Sequence, residues 1–517
     1  MAACAILYLP SLAWALGLDQ NIFAEIGALL LKGKKLYVDA WDVKPPNIFY
    51  LYAIFEWIFG QHEIAVRISD YCFSLLSCAA IFAATEQQSP MLAGRGKEWI
   101  APVASVLLML TLLSLGLADT AQTESYSLVF LIMASLLAQP ISSAESRSHY
   151  PLRLFFSGVS IGVALFFKTS NLVFLIAIAA EVWIYNAHPR LKAIGILLVG
   201  CLAWSVVQLG VLAVSGSLVE YLRVSWSVLL HHTNEVSSLR ATDVPRALWT
   251  YLDLWSVLAM FALLIAIIKK DSAFLRAALS PLLLLAAGIA AVLIQNKGWG
   301  YQFVVVLPGL TRLCAISGTY LYRMIHTRSA KIAGVVTVVL FIATLTLTPS
   351  AHRRMHYVSD ALLSMRDRPA YLATLGSPHS LYYPPATDSL ADYLVHNTSP
   401  TDKVFIFGEE PGAYWRADRL PATRYVYSLL FTSGVISNED LLAMQDTLLA
   451  NPPAIIVVER FDTTAFRGKP ETSETLIAND SLFSIIRNIF FRNYYSSDTL
   501  CGSFIIHRHV LLTSSSP

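Results

Sequence analysis

Two acids, a base and a proline pair interrupt the apolar start of this chain in the stretch KLYVDAWDVKPPNIFYLYA, Lys35 to Ala53. Asp39 and Asp42 can accept a proton, Lys44 can neutralise an anion, and Pro45-Pro46 can turn the chain into a helix. Further acids follow the same pattern. Asp19 stands at the end of the first apolar segment, and Asp119 and Glu124 stand between two later ones. Cations occupy matching places, with Lys44, Arg67 and Lys168 at or near the ends of apolar segments. In lipid each such group costs free energy unless it is paired, hydrated or functional. Carboxylates facing cations at one membrane rim suit a reaction between a hydroxyl or amine and a phosphorylated lipid. A carboxylate takes the nucleophile's proton, and the cations stabilise charge growing on the leaving phosphate. Taken singly, each of these residues also fits a plainer role as an interfacial anchor or a snorkelling side chain. For Lys168, in ALFFKTSNLVF, the plainer role is an interhelical ion pair, and Glu56 and Glu181 read as structural.

The elements that must position these groups lie in lipid. Of the 517 residues 56% are hydrophobic and 14% charged, against roughly 25% charged in soluble chains. Apolar runs stand near 1–18, 64–84, 100–117, 126–139, 154–167, 169–185, 193–214, 249–268, 278–295, 302–322 and 332–348, which predicts about eleven transmembrane helices. The aromatic block 47–60 predicts a helix lying at the membrane surface. Alternate loops carry Arg95 and Lys97, Arg147 and Arg153, Arg190 and Lys192, Lys269, Lys270 and Arg276, then Arg323, Arg328 and Lys331. The positive-inside rule makes that set cytoplasmic. The first outer loop, 19–63, then faces outward together with everything after about residue 350, although Lys32, Lys34, Lys35 and Lys44 in that loop run against the rule. Residues 1–348 read as a transmembrane catalytic domain and 349–517 as a soluble α/β domain outside the cytoplasm, with β-rich runs at 402–408, 454–459 and 503–508. A net charge of +2 gives no basic field for nucleic acid, and six scattered cysteines make neither a disulfide framework nor a metal spacing.

The segment LDQNIFAEIGALLLKGKKLYVDAWDVKPPNIFYLYAIFEWIFG resembles the first outer loop of the polytopic GT-C glycosyltransferases of the family 39 type. That group includes protein O-mannosyltransferases and lipid A aminoarabinose transferases. The pattern is an acid after the first helix, a glycine, then Y-x-D-x-x-D-x-K-P-P, met by Asp19, Gly33, Tyr37, Asp39, Asp42, Lys44, Pro45 and Pro46. AVRI at 65–68, TES around Glu124 and FFKTS around Lys168 fit as well. Two departures stand out: Asp19-Gln20 replaces the family's Asp-Glu, and NKGWGYQF, with Tyr301 and Gln302, replaces a His-Tyr pair in the late outer loop. The resemblance implies an inverting transferase in the inner membrane that takes a sugar from a polyprenyl-phosphate donor and hands it to a lipid, glycan or protein acceptor on the outer face. It implies Asp19 and Glu124 as catalytic residues. Lys44, Lys168 and Arg67, with Asp39, Asp42, Tyr37 and Tyr301, would bind donor phosphate and substrate. No cofactor is required, and a divalent metal is optional.

The rival from another class is a polytopic lipid or solute transporter or flippase. Such proteins show internal repeats and ionisable groups near the midplane, whereas the charges here gather at one rim. A scaffold whose outer domain binds a partner would leave the paired acids and bases without a role.

Overall fold

The computed structural model describes residues 1–88, 97–139, 149–185, 189–227, 242–327, 329–378, 380, 382–432, 436–460 and 494–509. Arg95, Arg147 and Arg328 of the basic loops lie outside the described residues.

Helix α1 (Ala2–Tyr8) continues through a 3-10 turn to Ala13, and α2 (Leu18–Leu31) then leaves at 82° to it. This corrects the reading of Asp19 as the end of the first helix and of 19–46 as loop. Asp19 lies in the first turn of a second helix, where the exposed N–H groups favour an acid. Gln20 fixes the break: its side-chain oxygen accepts the Gly17 N–H at 2.5 Å, and its amide donates to the carbonyls of Leu117 at 2.6 Å and Thr120 at 2.5 Å. A glutamate there could not make those two donations.

After the loop carrying Lys44 comes α3 (Asn47–Phe59). Its Phe49 and Tyr52 meet Phe23 of α2 edge to face, at 5.9 and 5.6 Å, while Ile54, Trp57, Ile58 and Phe59 are exposed. One packed face and one bare apolar face with a tryptophan suit a helix at the membrane surface.

The bundle follows: α4 (Glu63–Gln88), α5 (Ile100–Leu115), α6 (Thr123–Ala138), α7 (Tyr150–Leu165), α8 (Leu172–Tyr185), α9 (Arg190–Val214), α10 (Leu218–Ser227), α11 (Asp243–Ile268), α12 (Ser272–Gln295), α13 (Leu307–His326) and α14 (Ala330–Thr346). A helix stands at each predicted span. Among the described residues, α4, α9, α12 and the run Gly300–His326 are long and apolar enough to cross a membrane unaided. The others are shorter or bent, α11 by a break at Asp253. Short spans survive where neighbours pack closely. A Cβ on Gly158 of α7 would lie 1.9 Å from the Leu197 carbonyl oxygen, and one on Gly200 of α9 would lie 2.0 Å from that of Phe155. The two backbones touch, as small residues allow in lipid.

Beyond the bundle, α15 (Pro349–Arg366) still lies against the first helix, with Trp14 Nε1 donating to the Tyr357 carbonyl at 3.1 Å. Next come α16 (Arg368–Thr374), α17 (Pro384–Asn397), β1 (Lys403–Phe407), α18 (Pro411–Ala417), β2 (Leu420–Pro421), α19 (Leu429–Thr432), α20 (Asn438–Ala450), β3 (Ile455–Glu459), β4 (Tyr494–Leu500) and β5 (Phe504–His509). The sheet order is β2-β1-β3-β5-β4, with β1 parallel to β2 and β3 and β5 antiparallel to β3 and β4. Alternation along β1 explains its wholly apolar core. Val404 and Ile406 pack with Leu390 and Leu394 of α17, while Phe405 and Phe407 join the cluster that contains residues of α2 and α3. A strand covered on both faces reads as a continuous apolar run. Polar ties complete the docking: Trp415 Nε1 donates to Glu56 Oε1 at 3.1 Å, and Arg416 reaches Glu63 at 2.8 Å.

Candidate active site

The loop bearing Lys44 is pinned at both ends. Upstream, Trp41 N–H donates to the Arg424 carbonyl at 2.9 Å and the Trp41 ring meets Tyr425 edge to face. Downstream, Asn47 donates through its backbone to the Phe166 carbonyl at 3.0 Å and through its side chain to the Val163 carbonyl at 3.1 Å. Residues 163–166 end α7 just before the turn that carries Lys168. The proline pair therefore delivers Lys44 to the Lys168 turn, which is the task that a stiff dipeptide before a helix can perform.

Five of the expected residues meet there. Lys44 Nζ lies 3.9 Å from Asp19 Oδ2 and 5.5 Å from the centre of the Phe23 ring. Lys168 Nζ lies 3.1 Å from Glu124 Oε1 and 6.0 Å from the centre of the Tyr301 ring. Glu124 is fully buried and also accepts the Thr123 hydroxyl at 2.5 Å, whereas Asp19 keeps 27% of its side chain exposed. Access thus separates the two acids expected to be catalytic: Asp19 is partly open to solvent, and Glu124 is closed off against Lys168. Tyr301 turns its backbone N–H to Asp119 Oδ1 at 3.1 Å and has a buried hydroxyl without a hydrogen-bond partner among the described residues. A Cβ on Gly300 would fall 2.3 Å from Asp119 Oδ2, so only glycine lets this contact form.

The charges are coupled. Burial lowers the Lys44 ammonium, but Asp19, Asp42 and Glu124 together outweigh it and hold its pKa above the ordinary lysine value. Lys168 goes the other way: burial pulls it down, Lys44 adds repulsion, and Glu124 only partly opposes them. Burial pushes Asp119 up to about 6. Each cation therefore sits in a mostly dehydrated place where an anion gains more than in water.

The other expected site residues lie elsewhere or do other work. Arg67 is a correction: it is fully buried, and its guanidinium serves the Ala15 carbonyl, Gln20 Oε1 at 3.0 Å, the Leu117 carbonyl at 3.3 Å and Thr120 Oγ1 at 3.3 Å. Those acceptors close the break before α2, so Arg67 is a brace and not a phosphate ligand. Arg67→Met should lower stability in detergent by about 1.5–3 kcal/mol or more, the worth of at least one charged hydrogen bond, while transfer per folded molecule stays normal. Asp39 is a second correction, because it is exposed in a turn where it accepts the Lys35 N–H at 2.8 Å. Asp42 is buried, accepting the Lys44 N–H at 2.8 Å and the Tyr427 hydroxyl at 2.9 Å. Tyr37 holds the Lys44 carbonyl at 2.9 Å from a left-handed backbone, φ +65°. Such a conformation in an aromatic residue persists only where the surroundings enforce it. Asp42 and Tyr37 shape the loop, and Tyr427, from the C-terminal region, joins them without any signal in the sequence beyond its aromatic type.

Among the described residues no group of three or more His, Cys, Asp and Glu side chains is arranged to hold a metal ion. Asp19 faces Lys44 in place of a second acid, so the donor set present does not fit a cation.

Over residues 43–211 the chain matches a family model described as dolichyl-phosphate-mannose-protein mannosyltransferase. No curated relative matches it. Among solved structures it is similar to ArnT from Cupriavidus metallidurans bound to undecaprenyl phosphate, at 15% identity and TM-score 0.57 over 100% of this chain and 98% of that one. The same protein in the apo state gives 0.59 at the same identity and coverage. It is also similar to the archaeal oligosaccharyltransferase AglB from Archaeoglobus fulgidus, in complex with an inhibitory peptide and a dolichol-phosphate, at 11% identity and TM-score 0.55 over 100% of this chain and 74% of that one. The fold is shared from end to end with these structures, so the chain has the GT-C fold of a polytopic membrane protein, and the family match over residues 43–211 spans Lys44, Glu124 and Lys168.

Proposed function

We propose that the protein transfers a sugar, with inversion, from a polyprenyl-phosphate donor to a hydroxyl or amine acceptor at the outer face of the inner membrane. The observation that carries this reading is the meeting of two dehydrated ammonium groups, Lys44 and Lys168, with one accessible carboxylate, Asp19. The donor's phosphate would lie between the ammoniums, displacing the loose 3.9 Å contact between Lys44 and Asp19. The acceptor oxygen or nitrogen attacks the anomeric carbon opposite the phosphate as the bond to the phosphate oxygen breaks. The acceptor's proton passes to Asp19, and the bonding pair leaves on the lipid phosphate, where the ammoniums stabilise it. A single displacement needs no covalent sugar–enzyme intermediate. The similar structures bound to undecaprenyl phosphate and to a dolichol-phosphate support a polyprenyl donor.

The test is transfer of radiolabelled sugar from a polyprenyl-phosphate donor by the purified protein in vesicles, with release of polyprenyl phosphate in equal amount. Hydrolysis without transfer, or no consumption of any such donor, would sink the reading. The outward placement of residues 349–517 is tested separately: alkaline phosphatase fused after residue 350 should be active, and a cytoplasmic reporter at the same point silent. The opposite pattern would put the Lys44–Lys168 centre on the cytoplasmic face.

A further inference from the structure

The first outer loop carries Lys32, Lys34, Lys35 and Lys44 against the charge bias of the other loops. Two of the four are accounted for: Lys32 pairs with Asp418 at 2.5 Å, and Lys44 faces Asp19. Lys34 and Lys35 are exposed and make no ion pair among the described residues. Both line a groove of about 590 Å³ between the end of α2, α3 and the turn joining α9 to α10. Leu31, Leu36, Ile54 and Trp57 form its apolar walls, Ser215 and Ser217 lie on the α9–α10 turn, and no carboxylate lines it. Lys35 Nζ reaches over that turn, 3.5 Å from where a Cβ on Gly216 would be. Ser217 is fully buried, and its hydroxyl has no hydrogen-bond partner among the described residues. Trp57 is 76% exposed and Ile54 51%, so the wall continues into the bare face of α3.

We propose that this groove holds the phosphate headgroup of an anionic membrane phospholipid. Two ammoniums without an ion pair among the described residues, beside the Ser215–Ser217 turn at one end, answer a phosphodiester. The apolar face of α3 answers the acyl chains at the depth where tryptophan settles. A soluble anion would use the ammoniums but leave the apolar wall without an occupant. None of the lining residues belongs to the Lys44–Lys168 centre, so this is a second lipid site. It lies on the loop that positions Lys44, two residues before Tyr37, and a bound lipid would hold that loop from its other side.

The test uses the full chain in nanodiscs that contain photoactivatable phosphatidylglycerol or photoactivatable phosphatidylcholine at equal mole fraction, with mapping of the labelled peptides. Phosphatidylglycerol should label residues 47–60 and 215–218 about 25-fold more than phosphatidylcholine, since each of the two lysines near an anionic headgroup contributes about fivefold. Lys34→Gln/Lys35→Gln should bring labelling down to the phosphatidylcholine level, Lys34→Glu/Lys35→Glu should take it lower, and Lys269→Gln should leave it unchanged. Equal labelling by the two lipids, insensitivity to both double variants, or loss of labelling on adding inorganic phosphate would overturn the proposal. The last outcome would assign the groove to a soluble anion. The readout is lipid labelling, so it stands or falls independently of sugar transfer.

Discussion

Replacing Lys168 by alanine should reduce sugar transfer by about 10²–10³-fold, the cost of one preorganised donor to a developing oxyanion. Lys44→Ala should cost a comparable factor. The double variant should lose less than the product of the two, because groups acting on one phosphate are non-additive. Lys168 needs a second comparison, because its partner Glu124 is fully buried. Removing only the ammonium strands a carboxylate, and breaking a buried pair costs about 3–5 kcal/mol of stability. Lys168→Ala/Glu124→Gln removes that burden. If Lys168 serves the phosphate, this pair of changes restores folding in detergent and leaves transfer as low as in Lys168→Ala. If the lysine only held the helices together, the pair would restore transfer as well. Exposed Lys269→Ala, at the far end of the bundle, should change neither quantity.

Much of this site is legible in the sequence because lipid makes polar residues conspicuous. Lys44 and Lys168 stand out between apolar runs, and burial next to Asp19 and Glu124 is the physical consequence of placing charges there. Strands at 402–408, 454–459 and 503–508 are legible for a different reason: both faces of β1 and β3 are covered, so alternation gives way to an unbroken apolar run. What the sequence conceals is the chain's path. Asp19, Gln20, Asn21 and Glu25 end the apolar run at residue 18 and read as a loop, yet the chain re-enters a helix at Leu18 after the 82° break. That break turns Arg67 from a candidate phosphate ligand into a brace, since two of its four acceptors are backbone carbonyls freed where helices end. Carbonyls have no residue type, so no motif reports them. Tyr427 is concealed by distance: it reaches Asp42 across 385 positions. Gln20 shows the opposite lesson, because its departure from the family pattern looks like a lost carboxylate and proves to be a donor to two carbonyls that an acid could not serve.

Asp19→Asn should fold and insert normally yet lose about 10²–10⁴-fold in turnover, the range for removing a general base. The side chain keeps its size, and the break before α2 is held by Gln20 and Arg67, so structure gives no reason for collapse. Its position 3.9 Å from Lys44 offers a rival role, in which Asp19 merely keeps the ammonium aligned for the donor. The two roles part in the kinetics. Loss of a base lowers kcat and leaves the KM for the polyprenyl-phosphate donor nearly unchanged, because binding the phosphate does not need the proton acceptor. Loss of an aligning partner frees Lys44, so the donor's KM moves while kcat at saturation is largely kept. Asp19→Glu adds a discriminating arm: a carboxylate one methylene longer should recover part of kcat if proton transfer is the task. A normal kcat with Asn at this position would remove Asp19 from the chemistry. With Glu124 buried against Lys168 and Asp42 buried against the Lys44 N–H, Asp119, which burial pushes up to about 6, would be the next carboxylate to replace in the same assay.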